Sequence, residues 1–254
     1  MATSGTATFN MPFAELAEEA WERAGRELRT GYDLRTARRS MNLLTIEWAN
    51  RGINLWTIDE GTIQLTKDDA TYTLPADTID VCEMNIRTNA GDASSQSDLS
   101  LNRISIPTYS AIPNKLSTGR PLQAVVHRLG QAGIYQAGDR TNGNTPTPTS
   151  IGANVSFLTL WPVPDSSTAY QISFYRMRRI QDMGSEAGKT DADMPFRFFP
   201  CAVAGLAYYI AMKVPELAPR IPMLKQEYEE QFKLASEEDR EKTSARFVPS
   251  IGRC

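Results

Sequence analysis

An uncharged apolar run near the end of the chain limits the possible folds more than any other segment. The run FFPCAVAGLAYYIAM covers residues 198–212 and includes Pro200. It is shorter than the ~20 residues that a transmembrane helix needs. A helix from Cys201 to Met212 would be apolar on nearly every side, so other elements must surround it. The run therefore predicts a helix buried in the core of a globular domain.

Amphipathic segments that could surround this helix lie at both ends of the chain. The first begins near Pro12, which a helix tolerates in its first turn, and extends to Leu28. The second is expected to begin with Asp33 as its N-cap and to stop at Gly52, and the third follows a break at Pro215. Their apolar residues repeat at helical spacing: Phe13, Leu16, Ala17, Ala20, Ala24 and Leu28 in the first, Leu34, Ala37, Met41, Leu44 and Trp48 in the second, and Leu217, Ile221, Leu224, Tyr228, Phe232 and Ala235 in the third.

Strand patterns fill the middle of the chain. Runs such as TIDVCEMNIRT, PLQAVVHRLG and YQISFYRMRRI are rich in β-branched and aromatic residues and are separated by turn residues. Ile63 and Leu65 alternate with polar residues before a Lys-Asp-Asp turn, and Tyr72 and Leu74 do so after it. The pattern continues as far as Ile180, so the middle of the chain is predicted to be a β domain.

The order of these elements predicts an α+β fold. Two helices come first, strands follow, and two helices close the chain. The simplest assembly is a four-helix core, built from the two N-terminal and the two C-terminal helices, with an inserted β-rich domain. The expected parts are residues 1–52 for the N-terminal helical pair, 53–182 for the β-rich domain, 183–243 for the C-terminal helical pair, and 244–254 for an extended C-terminal tail.

The composition indicates a soluble protein with no general affinity for polyanions. Lysine and arginine total 27 against 30 for aspartate and glutamate, and the net charge of -3 attracts neither nucleic acid nor an anionic membrane. The cysteines, Cys82, Cys201 and Cys254, are odd in number and far apart, which favours reduced thiols in a cytosolic setting. The N-terminal stretch MATSGTATFN lacks the basic region and the apolar core of a signal peptide.

Patterns that carry catalysis are weak in this sequence. His127 is the single histidine, so a His-based metal cluster is impossible, and its strand setting favours a structural role. The string GSEAGKT at residues 184–190 is one residue short of a phosphate-binding loop and is followed by DADMP, which favours a polar linker. We therefore expect no enzyme activity, no cofactor and no bound metal.

Two groups of arginines are candidates for contacts with another subunit. The planar guanidinium group is favoured at protein interfaces because it donates several hydrogen bonds in a fixed geometry. A solvated surface is the alternative interpretation of each group. The candidate residues are Arg35, Arg38 and Arg39 on the second helix and Arg176, Arg178 and Arg179 at the end of a strand.

The order of elements and two stretches of sequence resemble a known family. The stretch LTLWPVPDSSTAYQISFYRMRRI, the preceding GRPLQAVVHRL and the two flanking helical pairs look like a head-to-tail adaptor of short-tailed bacteriophages, which is also called a connector or tail accessory factor. The likeness covers nearly the whole chain in element order. It implies a non-enzymatic structural protein of the virion, assembled in the host cytoplasm and bound below the portal as a ring of twelve copies.

The resemblance also implies a separate role for each part of the chain. The helical core would form the ring and continue the channel, through which genomic DNA passes without sequence-specific binding. The β-rich domain would face the tail nozzle protein or the tail fibres, and the segment from Ser244 to Cys254 would reach the portal. Some relatives have been linked to peptidoglycan hydrolysis, but no pair of positioned carboxylates in this sequence supports that activity.

The tail has the composition of a docking peptide. It combines apolar anchors with charged hydrogen-bond donors, and Pro249 reduces the entropy that the peptide loses on docking. The candidate portal-binding residues are Arg246, Phe247, Val248, Pro249, Ile251 and Arg253.

Two other classes of function are compatible with the sequence. A carbohydrate- or peptide-binding module could use Trp161, Tyr170 and Tyr175 of the β domain as an aromatic platform, although aromatic residues on strands more often belong to the core. A hydrolase with an unrecognised carboxylate pair is the third class. A ring detected by native mass spectrometry favours the adaptor, and glycan binding by a monomer favours the binding module. Enzymatic turnover that is lost when one acidic residue is replaced favours the hydrolase.

Overall fold

A computed structural model describes residues 4–53, 55–128, 134–136, 149–151, 156–184 and 191–240. The chain separates into two compact units. The helical unit consists of Met1–Trp56 and Ile180–Cys254, and the β unit consists of Thr57–Arg179. The expectation of an α+β chain is confirmed.

The long helices of the helical unit come from both ends of the chain. They are α1 (Phe13–Ala24) and α2 (Gly31–Asn50) from the first segment, and α4 (Phe199–Ala211) and α5 (Ile221–Glu238) from the last. Short 3₁₀ helices precede α4 at Phe196–Phe198 and α5 at Pro215–Arg220. The β unit contains one short helix, α3 (Ile106–Ser110), among its described residues.

The apolar run forms the buried helix that the sequence predicts. Nearly every residue of α4 is buried, and these residues share one hydrophobic cluster with the buried faces of α1, α2 and α5. Gly205 lets the neighbouring helices approach closely, since a Cβ atom there would lie 2.8 Å from Cδ2 of Leu44 and 2.9 Å from Cε2 of Tyr228. The backbone of α4 is therefore in direct contact with side chains of α2 and α5.

The ends of α1 and α2 differ from the sequence expectation. The first helix does not extend to Leu28, because Gly25 adopts a left-handed conformation with φ of 100° and caps it. Asp33 is not the N-cap of α2. Thr30 takes that place, and the Asp33 carboxylate accepts the backbone N–H of Thr30 while Thr30 Oγ1 accepts the N–H of Asp33. This reciprocal pair is a capping box, which begins the helix earlier than a lone Asp33 cap would.

The described strands of the β unit form two four-stranded sheets and a two-stranded ribbon. The first sheet has the order β1-β10-β3-β4, the second the order β2-β9-β6-β5, and the ribbon pairs β7 with β8. The strands are β1 (Ile58–Gln64), β2 (Thr71–Thr73), β3 (Thr78–Thr88), β4 (Ser97–Ser100), β5 (Asn102–Arg103), β6 (Gln123–His127), β7 (Ile134–Gln136), β8 (Thr149–Ile151), β9 (Phe157–Trp161) and β10 (Tyr170–Arg178).

The two four-stranded sheets share one core. Ile86 and Ile172 from the first sheet belong to the same hydrophobic cluster as Leu158 and Leu160 from the second. The pairing of β10 with β3 shifts between Tyr175 and the next residue, which is the mark of a β-bulge. The β unit is thus a small sandwich with its own core.

The two runs around the Lys-Asp-Asp turn do not pair with each other. Ile63 lies on β1, which pairs with β10, whereas Tyr72 lies on β2, which pairs with β9. The chain therefore crosses from one sheet to the other at this turn. Alternation of apolar residues predicts each strand correctly but does not determine its partner, because partners are chosen by packing of the whole sheet.

Candidate interaction surfaces

An ion-pair cluster joins α2 to α5 in the helical unit. Arg51 Nη2 lies 2.6 Å from Glu47 Oε1, and Arg51 also donates two hydrogen bonds of 2.9 Å to the carboxylate of Glu229. The guanidinium carbon of Arg51 stacks 4.4 Å from the ring centroid of Phe232. The hydrogen bond from Arg51 lowers the pKa of Glu229, so the pair stays charged at neutral pH. This cluster fixes the C-terminal end of α2 against α5.

A buried hydrogen-bond chain continues from this cluster into the core. The indole Nε1 of Trp48 donates to Tyr228 Oη at 3.1 Å, and Tyr228 Oη donates to Glu47 Oε1 at 3.2 Å. Tyr209 on α4 donates to the other oxygen of Glu47. Burial and the Glu47 contact raise the pKa of Tyr209 to about 12. The chain links three helices, so the helical unit can act as a rigid support for its exposed faces.

The arginines of α2 point in two different directions. Arg38 is half-buried, with its guanidinium carbon 5.9 Å from the ring centroid of Phe13 on α1. Arg35 and Arg39 are exposed, and within the described ranges no carboxylate pairs with them. The same exposed face carries Leu43 and Ile46, which are 55% and 45% exposed. This face of α2 combines charge with apolar surface, as binding faces do.

The arginines of β10 are engaged inside the β unit. Arg176 Nη1 contacts Asp77 Oδ1 at 2.5 Å and Thr78 Oγ1 at 2.9 Å. Arg178 Nε lies 3.1 Å from Asp59 Oδ2, and both arginine side chains are only 13% exposed. These contacts give Arg176 and Arg178 a structural role in the unit. Their proposed contacts with another subunit remain a prediction, as do those of Arg179.

A cationic pocket of about 620 Å³ lies in the helical unit. Arg26, Arg39 and Lys213 line it together with the buried indole of Trp21. Sequence reasoning found Arg39 but missed the other three, because they come from separate segments of the chain. The only sequence signal at this place was the group of arginines on α2.

An apolar groove of about 690 Å³ lies elsewhere on the helical unit. Phe9 and Phe196 line it and are 74% and 76% exposed. The rings of Phe9 and Phe199 meet edge to face with centroids 6.3 Å apart. Such exposed aromatic residues are typical of a surface that contacts another macromolecule.

The aromatic residues of the β unit do not form one platform. Trp161 belongs to the second sheet, and its indole donates to the carbonyl of Asn114 at 3.0 Å. Tyr170 packs against the core of the sandwich, whereas Tyr175 lies on the opposite face of β10 and is 41% exposed. The structure therefore does not bring together the three residues on which the carbohydrate- or peptide-binding alternative depends.

Other sequence features have structural positions or lie outside the described residues. His127 stacks on Phe157 with ring centroids 4.0 Å apart and shares a 3.1 Å hydrogen bond with Thr159, and burial lowers its pKa. Among the residues that the structure describes, no cluster of three potential metal ligands occurs, and no helix has the length and hydropathy of a membrane span. Most of GSEAGKT and the whole candidate portal-binding tail lie outside the described residues.

Together these surfaces indicate the class of protein to which the chain belongs. The helical unit presents a cationic pocket, an apolar groove and a helix face with both charge and apolar surface, which are features of a protein that binds other macromolecules. The chain belongs to the SU10 adaptor protein family, whose model matches residues 11–250. Membership confirms the resemblance to head-to-tail adaptors of short-tailed phages and makes the chain a structural component of the virion that contacts other virion proteins. Among curated proteins, none matches this sequence.

Proposed function

We propose that this chain forms a ring of twelve copies that joins the portal to the tail nozzle and continues the DNA channel. The observation that carries this proposal is the family match, which covers residues 11–250 and therefore both units. In a closed ring each copy makes modest contacts, and repetition around the ring multiplies them into a stable joint. The protein has no enzymatic role in this proposal.

The helical unit is proposed to be the ring-forming core, built around its four long helices. The hydrogen-bond chain through Glu47 and Tyr228 supports this role, because it ties α2, α4 and α5 together. Among the arginines proposed as inter-subunit residues, Arg35 and Arg39 have the best support, because both are exposed on one helix face. The β unit is proposed to face the nozzle or the tail fibres.

Native mass spectrometry of the purified chain, alone and with a portal ring, tests the adaptor function. We expect a discrete complex with one adaptor copy for each portal subunit. Binding to a portal ring with any other stoichiometry would contradict the twelvefold proposal, and no binding would contradict the adaptor function. A portal ring from an unrelated phage serves as the specificity control.

The C-terminal tail is proposed to dock into the portal. Its support comes from the sequence, in which Phe247, Val248 and Ile251 supply apolar anchors between Arg246 and Arg253. Deleting residues 244–254 should abolish portal attachment and leave the circular dichroism spectrum of the chain unchanged. A second variant keeps the segment but replaces its three apolar anchors by serine, and we expect the same loss of attachment. Unchanged attachment of both variants would refute the docking role.

A further inference from the structure

The cationic pocket contains buried polar groups that are not satisfied within the chain. Trp21 is only 3% exposed, and its indole N–H has no acceptor among the described residues. The hydroxyl of Thr36, which also lines the pocket, is likewise buried without a partner there. A buried donor without an acceptor is unfavourable, and native proteins rarely keep one unless another group supplies the acceptor. Both residues line the pocket, so an acceptor from another chain that enters it would lie next to these unsatisfied groups.

The charges around the pocket identify the kind of acceptor. Arg26 and Arg39 are exposed, and in the described part of the chain neither has an ion-pair partner. Lys213 donates to Ser40 Oγ at 2.6 Å, and burial together with the nearby charge of Arg39 lowers its pKa. Asp33 also lines the pocket, but its carboxylate accepts from Thr30 in the capping box of α2. The unpaired guanidinium groups of Arg26 and Arg39 thus favour an anion.

The apolar surroundings favour a carboxylate on a protein over a phosphate. Leu43 and Tyr32 line the pocket and are 55% and 64% exposed. An acidic side chain next to an aliphatic one would cover both kinds of surface, whereas a nucleic-acid backbone offers no aliphatic side chain. On α2, Arg39 and Leu43 are four residues apart, which is a rise of about 6 Å along the helix.

The outer face of α5 carries the complementary pattern. Leu234 is 56% exposed. The exposed acid Glu230 lies four residues before it, and the exposed acid Glu237 lies three residues after it. Neither acid has an ion-pair partner in the described segments, unlike Glu227 and Glu229, which pair with arginines. The spacing of an acid and a leucine on α5 matches the spacing of Arg39 and Leu43 on α2. The exposed Lys233 lies on the same face of α5, but the two acids outnumber it and leave the face net negative. The two faces are therefore opposite in net charge, and each carries an exposed leucine.

We infer that the cationic pocket of one copy binds a carboxylate from the outer face of α5 of a second copy, with Glu230 or Glu237 as the ligand. The pocket and the α5 face are different surfaces of the same chain, so this contact is heterologous and can propagate around a closed ring. The inference rests on the proposed ring and names the surfaces that build it.

Charge reversal tests this contact in the full chain. Sedimentation velocity over a range of protein concentrations measures self-association of the wild type, of Arg39→Glu, and of the double variant Glu230→Lys with Glu237→Lys. We expect each variant alone to associate roughly tenfold more weakly than the wild type. An equal mixture of the two variants should recover association, because the altered pocket of one and the altered α5 face of the other again carry opposite charges. The matched control is Glu15→Lys with Glu18→Lys, which makes the same charge change on the exposed face of α1 and should associate like the wild type.

Several results would overturn the inference. One is a wild type that stays monomeric at every concentration, and another is a pair of variants that associate as the wild type does. If the wild type binds a DNA duplex and the Arg39→Glu variant does not, the pocket is a phosphate site instead. These outcomes are separate from the adaptor function, because a monomeric wild type that still binds a portal ring with one copy per portal subunit would refute only this contact.

Discussion

Replacing Gly205 by alanine tests whether α4 is packed as closely as the structure indicates. Helix propensity alone predicts a gain, since alanine is more favourable than glycine inside a helix by about 1 kcal/mol. The new methyl group would however lie 2.8 Å from Leu44 Cδ2 and 2.9 Å from Tyr228 Cε2, and both side chains are fully buried. Overpacking of this kind costs about 1–3 kcal/mol. The cost exceeds the gain, so we expect a net loss of up to about 2 kcal/mol.

The loss is measurable as a shift of the thermal or urea midpoint followed by far-ultraviolet circular dichroism. In a chain of this size about 2 kcal/mol lowers the melting temperature by about 4–8 °C. Gly31→Ala is the matched control, because Gly31 starts α2 and a Cβ atom there would meet nothing within 4 Å. We expect this control to be neutral or slightly stabilising. A Gly205→Ala protein that gains the ~1 kcal/mol of helix propensity over the wild type would refute the close contact of α2 and α5 with α4.

Three further changes have expected outcomes. Tyr228→Phe leaves the buried indole N–H of Trp48 without its acceptor and should lower the free energy of unfolding by about 1–3 kcal/mol, measured by urea denaturation. Arg176→Met removes the hydrogen bond that lowers the pKa of Asp77 from 3.8, so the stabilisation present above that value, about 1 kcal/mol for a partly exposed pair, should be lost at neutral pH. The difference from the wild type should shrink as the pH falls through the folded-state pKa, to the part that comes from the hydrogen bond to Thr78. Burial raises the pKa of Cys201 to about 12, so peptide mapping should find this thiol unmodified by iodoacetamide until the helical unit unfolds.

Control measurements distinguish these specific effects from a general loss of stability. Tyr209→Phe removes a hydrogen bond to Glu47 without exposing an indole N–H, so it should destabilise less than Tyr228→Phe, and an equal loss would contradict the role of Trp48. For Arg176, a difference that persists unchanged at low pH would show that packing rather than charge is responsible. Rapid native labelling of Cys201 would contradict its position in the core.

The sequence determined the local structure of this protein. The apolar run predicts a fully buried helix, and α4 is buried along nearly its whole length, because a helix without a polar face has no stable position in water. The stripe that contains Leu224 and Tyr228 on α5 likewise predicts the buried face of that helix. The strand run TIDVCEMNIRT matches β3 residue for residue. Patterns with a period of 3.6 or 2 residues report local burial directly.

Tertiary structure alone decided which segments meet. The sequence does not reveal that the strands on either side of the Lys-Asp-Asp turn enter different sheets, or that Arg176 is held by Asp77 rather than exposed. Nor does it reveal that Arg39 shares a pocket with Trp21 and Lys213, which are far apart along the chain. Local patterns carry no information on such partners, because partner choice depends on the free energy of packing the whole unit.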